Sequence, residues 1–129
     1  MTHILVLESN TLLAATYAQA FTYSGYTVAV AHDAQQAITA ADERTPDVVV
    51  LELQLPGHNG VEFLHEFRSY PEWQMIPVIV NTVLPPVRMH GLRQALQKDV
   101  GVSAIFYKPT TSLEALCRAV GQAPASTAA

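Results

Sequence analysis

Apolar positions in this chain follow two alternating rhythms. Unbroken runs at residues 4–7 (Ile-Leu-Val-Leu), 48–51 (Val-Val-Val-Leu) and 77–80 (Pro-Val-Ile-Val) read as strands covered on both faces. Residues 26–31 and 104–107 are rich in β-branched and aromatic side chains and also read as strands. Between these runs the spacing shifts to the helical period. Residues 11–23 carry Leu12, Leu13, Thr16, Tyr17, Ala20 and Phe21 at that spacing, with Ser9 or Asn10 as cap and Gly25 as stop. Asp33 caps an Ala-rich helix to about Glu43, packing through Ala37, Ile38 and Ala41. Residues 61–67 turn Val61, Leu64 and Phe67 inward, and residues 86–97 form a helix whose first turn tolerates proline. Thr111 or Ser112 caps a last helix carrying Leu113, Leu116 and Val120.

Strand and helix therefore alternate five times in series. This predicts an α/β fold of the flavodoxin-like (βα)5 kind, a doubly wound, five-stranded parallel sheet with right-handed connections. The domain is expected over residues 1–121, with residues 122–129, which lack an apolar period, as a disordered tail or the start of a linker.

In such a sheet the carboxyl ends of neighbouring strands open into one crevice. The first strand delivers Glu8 and Ser9, the third Glu52, the fourth Asn81 and Thr82, and the fifth Lys108, aimed by the turn at Pro109. Each has a plain structural reading as well: Glu8 as an acid favoured by a helix N-terminus, Thr82 as a strand end, Lys108 as a surface lysine.

Order and spacing resemble the receiver domains of bacterial two-component response regulators over essentially the whole chain. The resemblance is carried by the first strand ending in Glu8, by residues 46–60 from Pro46-Asp47 through Pro56-Gly57 to Gly60, by residues 76–82 ending in Asn81-Thr82, and by Tyr107-Lys108-Pro109. It implies the strand order 2-1-3-4-5. It also implies a site that transfers a phosphoryl group to a carboxylate on the third strand, with Mg²⁺ held by acids after the first strand. On this resemblance Glu8 and Ser9 take the acidic-pocket positions, Glu52 the phosphoacceptor position, and Thr82 and Lys108 the phosphoryl-contact positions. Glu8, Glu52 and the backbone carbonyl of Gln54 would be the metal ligands.

Two departures fall on the chemistry. Ser9 stands where the family usually has Asp, which removes a charge and a ligand from a cation that demands near-ideal octahedral oxygens. Glu52 stands where the family has the phosphoacceptor Asp, and its extra methylene moves the carboxylate by roughly 1.5 Å. Phosphoryl transfer is mostly positioning and electrostatics, and an error of about 1 Å can cost on the order of 100-fold. Both changes oppose phosphorylation, so no cofactor, or at most weakly held Mg²⁺, is expected. Glu52 would also partly imitate a phosphoryl group, with one charge against about −1.5 to −2. A third departure is Ile105 at the switch position, three residues before the lysine, where the family has an aromatic.

The resemblance places partner contacts on the face of the fourth helix, fifth strand and fifth helix. Leu84, Val87 and Met89 offer a candidate contact patch there, and Arg88, His90 and Arg93 make the segment locally basic. Elsewhere the formal charge of −4 argues against direct nucleic-acid binding. No apolar run reaches membrane-spanning length. The lone Cys117 fits a reducing, cytoplasmic setting and reads as a small helix residue. The five histidines, including His58 in the loop after Glu52, lack metal-ligand spacing.

The reading is an atypical receiver that is not itself an enzyme. It acts as a protein-interaction module toward a histidine kinase, an effector or another signalling protein, as a monomer or weak homodimer. Its alternatives are a phosphorylatable, Mg²⁺-dependent receiver and, on the same topology, a flavodoxin-like ligand binder. The latter is disfavoured because Ser9-Asn10-Thr11 is too short and Gly-free for a phosphate loop.

Overall fold

The structure, a computed structural model, describes residues 2–57 and 59–123. The expectations for His58 and residues 124–129 lie outside those residues. Five strands, β1 (His3–Leu7), β2 (Thr27–Ala31), β3 (Val48–Leu51), β4 (Val78–Thr82) and β5 (Val102–Tyr107), alternate with α1 (Thr11–Tyr23), α2 (Ala34–Glu43), α3 (Gly60–Ser69), α4 (Leu92–Asp99) and α5 (Leu113–Gln122). All strand pairs are parallel and the order is β2-β1-β3-β4-β5, as the alternation and the family resemblance predict.

The period-two alternation of strand side chains sorts the apolar runs onto two cores. Ile4, Val6, Val48, Val50 and Ile79 meet Tyr17 and Phe21 of α1 and Leu116 and Val120 of α5. Leu5, Leu7, Val49, Leu51, Val78 and Val80 face α2, α3 and α4 through Ala37, Ile38, Phe63, Leu64, Phe67 and Leu96. Covering both faces is why the central strands are continuously apolar. Below this second core Arg68 donates to the carbonyls of Val100 (2.8 Å), Trp73 (2.8 Å) and Gly101 (3.3 Å), tying α3 to the turn before β5. Burial lowers its pKa.

Of the caps, Asn10, Asp33 and Ser112 each accept an early backbone N–H, and Gly25, at φ 97°, follows the last residue of α1 in the left-handed region.

Five expectations need correction. The helix predicted over 86–97 is two pieces, a 3₁₀ turn at Pro86–Met89 and then α4. His90 is extended and Gly91 sits at φ 84°, so the chain cannot continue one helix through them. Leu12 points to solvent at 76 % exposure, because α1 buries Ala14, Tyr17 and Phe21 instead. Leu113 is also largely exposed, and in α3 the inward position is Phe63 more than Val61. The patch expected around the fourth helix divides: Val87 is exposed, Leu84 half-buried and Met89 buried.

Candidate functional site

The crevice forms where β1, β3, β4 and β5 end side by side. Glu8 follows β1 and Glu52 follows β3, held there by backbone bonds from Glu8 N–H to Ala31 O and from Glu52 N–H to Leu7 O, both 3.0 Å. The loop after Glu52 folds back through a bridge between Gln54 and Asn59 and turns at Gly57, φ 74°. Asn59 caps α3 by accepting from Glu62 N–H at 2.8 Å. Gly60 packs directly under the loop. A Cβ there would lie 2.7 Å from Leu53 Cα and 2.9 Å from the Glu52 carbonyl oxygen.

Three of the residues singled out from the sequence meet. The Lys108 ammonium donates to Glu8 Oε1 and, at 2.8 Å, to Glu52 Oε1. The side chains are almost fully shielded, with Lys108 10 %, Glu8 5 % and Glu52 3 % exposed. Burial pulls the Lys108 pKa down, but the hydrogen bonds and charges of Glu52 and Glu8 outweigh it, and the net shift is upward. Lys108 is therefore a fixed cation.

Backbone donors complete the shell. Glu52 Oε1 also accepts from Val83 N–H at 3.0 Å and Oε2 from Gln54 N–H at 3.1 Å. Glu8 Oε2 accepts from Asn10 N–H at 3.0 Å. All four carboxylate oxygens thus face an N–H donor. Mg²⁺ takes one or two carboxylates together with waters in near-ideal octahedral array. To use Glu8 and Glu52 it would have to displace Lys108 and reorganise both loops, so this donor set as arranged does not fit the ion.

The other positions lie close by in different roles. Thr82 is fully buried, and its hydroxyl accepts from Leu84 N–H at 3.1 Å, turned toward its own loop. Ser9 and Gln54 line a neighbouring cavity of about 640 Å³ with Leu53, Leu55, Asn59 and Leu84. Ile105 pairs with Val80 and packs, half-buried, on the core under α4.

Sequence reasoning missed the backbone donors of Gln54 and Val83, which any residue supplies. It brought Asn81 to the end of the fourth strand but gave it no role in the site. That residue is 3 % exposed and, by strand alternation, shares the α1–α5 side with Glu8 and Lys108. A carboxamide inside the apolar run of β4 was the available signal, since a buried polar group calls for partners.

Comparisons with known proteins agree with this fold. The chain is 33 % identical over 120 residues to the probable transcriptional regulatory protein TcrX of Mycobacterium tuberculosis, covering 92 % of this chain and 50 % of that protein. It is 30 % identical over 118 residues to the uncharacterized transcriptional regulatory protein YkoG of Bacillus subtilis, covering 90 % and 48 %. The chain thus spans about half the length of these relatives. Among solved structures, chemotaxis protein CheY4 of Vibrio cholerae superposes with a TM-score of 0.84 at 21 % identity, covering 96 % of this chain and 99 % of that one. Response regulator TrrA of Thermotoga maritima, solved in complex with Mg²⁺ and BeF, gives 0.77 at 20 % identity, covering 95 % and 98 %. Residues 4–120 match the response regulator receiver domain, and the chain belongs to that family.

Proposed function

We propose that this receiver works as a protein-interaction module of two-component signalling without taking a phosphoryl group on its third strand. One observation carries the reading: the Glu52 carboxylate is already enclosed by Lys108, Val83 N–H and Gln54 N–H at 2.8–3.1 Å. An attacking oxygen needs a free lone pair and an in-line approach, and catalysis here is positioning. Both Glu52 oxygens already accept N–H donors, and the longer side chain carries the carboxylate onto them, so attack on a phosphoryl donor would have to give up contacts that hold it in place.

The same contacts hold the domain in one state. Glu52 draws in Lys108 and the first residue after Thr82, which is what a negative group placed beyond an aspartate would do. Thr82 remains bonded to Leu84 N–H, so the imitation reaches the lysine and the loop but not the hydroxyl. Ile105 offers no ring to swing with that hydroxyl. We read the domain as fixed and active-like at Lys108, with Mg²⁺ held weakly or not at all. It presents the α4–β5–α5 face, with exposed Val87, Arg88, His90 and Arg93, to a histidine kinase or effector in the cytoplasm. Among the described residues no helix is long and apolar enough to cross a membrane.

The test is intact mass after acetyl phosphate with Mg²⁺, alongside amide NMR with beryllofluoride, on wild type and on Glu52→Asp. Wild type should gain no mass and show no shifts at the strand ends, while Glu52→Asp, with its carboxylate withdrawn, responds. A phosphoryl adduct on wild type overturns the reading.

A further inference from the structure

Hydrogen-bond bookkeeping at the site leaves two loose ends on the same side of the sheet. An ammonium has three N–H donors. Lys108 places two of them on Glu8 and Glu52. Next to β5, in β4, Asn81 Oδ1 is buried and has no donor among the described residues. Asn81 is paired in register with Phe106, two residues before Lys108, and both Ile79 and Phe106 pack on the α1–α5 core. Alternation puts Asn81 on that face, which Tyr17 of α1 also lines, and there burial raises the Tyr17 pKa while the Lys108 charge and the Asn81 side chain act to lower it. A buried acceptor left unpaired is destabilising, so it calls for a partner.

We propose that Asn81 Oδ1 takes the third Lys108 N–H through one bound water, and that Asn81 thereby couples the Glu52–Lys108 pair to Tyr17 and α1. Asn81 is then a positioning residue. It holds the lysine from below and carries its placement toward the α1–α5 side of the sheet, away from the side where Ile105 lacks a switch ring. The inference rests on the Glu52–Lys108 contact proposed above as the lock.

The experiment is a coupling cycle read at Tyr17. Protein labelled at tyrosine Cζ is compared by NMR for wild type, Lys108→Met, Asn81→Leu and the double variant, with the Tyr17 resonance assigned from Tyr17→Phe. Lys108→Met should shift Tyr17 Cζ and the amides of the first two turns of α1. In the Asn81→Leu background the same change should lose at least half of that shift. An unchanged Tyr17 on Lys108→Met, or an equal shift with and without Asn81, overturns the coupling. If Asn81→Leu does not fold, Asn81→Ala carries the same comparison. No phosphoryl donor is present, so this outcome is separate from the adduct test. A wild type that takes a phosphoryl group but shows the coupling would fail the first reading alone.

Discussion

Replacing Lys108 by methionine isolates what the ammonium does. The unbranched stem is kept and the charge is lost, leaving Glu8 and Glu52 facing each other at 5 % and 3 % side-chain exposure. Two oxygens that shared one hydrogen-bond donor stand at most about 5 Å apart. At an effective dielectric of about 20, two like charges at that distance repel by roughly 3 kcal/mol. Removing one member of a buried ion pair generally costs about 3–5 kcal/mol, because the remaining charge is left uncompensated. Lys108→Met should therefore lose about 3–5 kcal/mol of unfolding free energy at pH 7, a large share of the total for a domain of this size. Urea titrations of both proteins at pH 7 measure this. The exposed Glu114–Arg118 pair, at 83 % and 62 % exposure, is the control, and Arg118→Ala should cost only about 0.2–0.5 kcal/mol. A loss under about 1 kcal/mol for Lys108→Met would refute the argument, since the carboxylates would then be solvated well enough not to need the lysine.

His3 is buried under the sheet, with Nδ1 2.8 Å from Thr27 Oγ1, and burial, helped by Arg44, lowers its pKa from the ordinary 6.5. A depressed histidine favours the folded state above 6.5 and loses that advantage as pH falls through its folded pKa, so wild type should destabilise below pH 6.5 more steeply than His3→Gln in urea titrations across that range. Gly60→Ala should cost about 1–3 kcal/mol, because the added methyl meets backbone rather than a movable side chain, and a thermal melt will read it. The same variant should shift the Glu52 and Gln54 amides.

Much of this was written in the pattern of the sequence, and the exceptions have physical causes. Sheet order and the meeting of Glu8, Glu52 and Lys108 follow from strand ends fixed by apolar runs and from the resemblance those runs complete. The fourth helix was misread because apolar spacing from Val87 to Leu96 carries across a break made by backbone angles at His90 and Gly91. A glycine within a helical pattern reads as a tolerated cost of about 1 kcal/mol until its φ is known. Leu12 and Leu13 compete for the same stripe, and a 100° turn per residue lets only one face the sheet. Thr82 shows a harder limit: its identity marks a position, but whether its hydroxyl serves the carboxylate or its own loop is decided by the backbone of Val83 and Leu84, which the residue types do not encode.

The difference between Glu52 as a charged clamp and Glu52 as a passive acid can be decided on shape alone. Glu52→Gln keeps the length and removes the charge. One end of a carboxamide is a donor, so it cannot accept from Val83, Gln54 and Lys108 together, as the carboxylate does. With its oxygen in place of Oε1 the carboxamide keeps Val83 and Lys108 and turns its NH2 onto Gln54 N–H; flipped, it loses both of the first two, so in either pose at least one part-buried N–H loses its acceptor. Hydrogen bonds to charged groups contribute about 1.5–3 kcal/mol each, so the variant should lose about that much at pH 7. Hydrogen exchange at the Val83 and Gln54 amides should quicken in step with it, because those loops are fastened to the rest of the site through this one side chain. Glu52→Asp should fall between the two, retaining the charge near Lys108 but withdrawing by roughly 1.5 Å from Val83. If Glu52→Gln matches wild type in both stability and exchange, the carboxylate is not holding the strand-end loops together, and the fixed state attributed to this receiver has no physical basis.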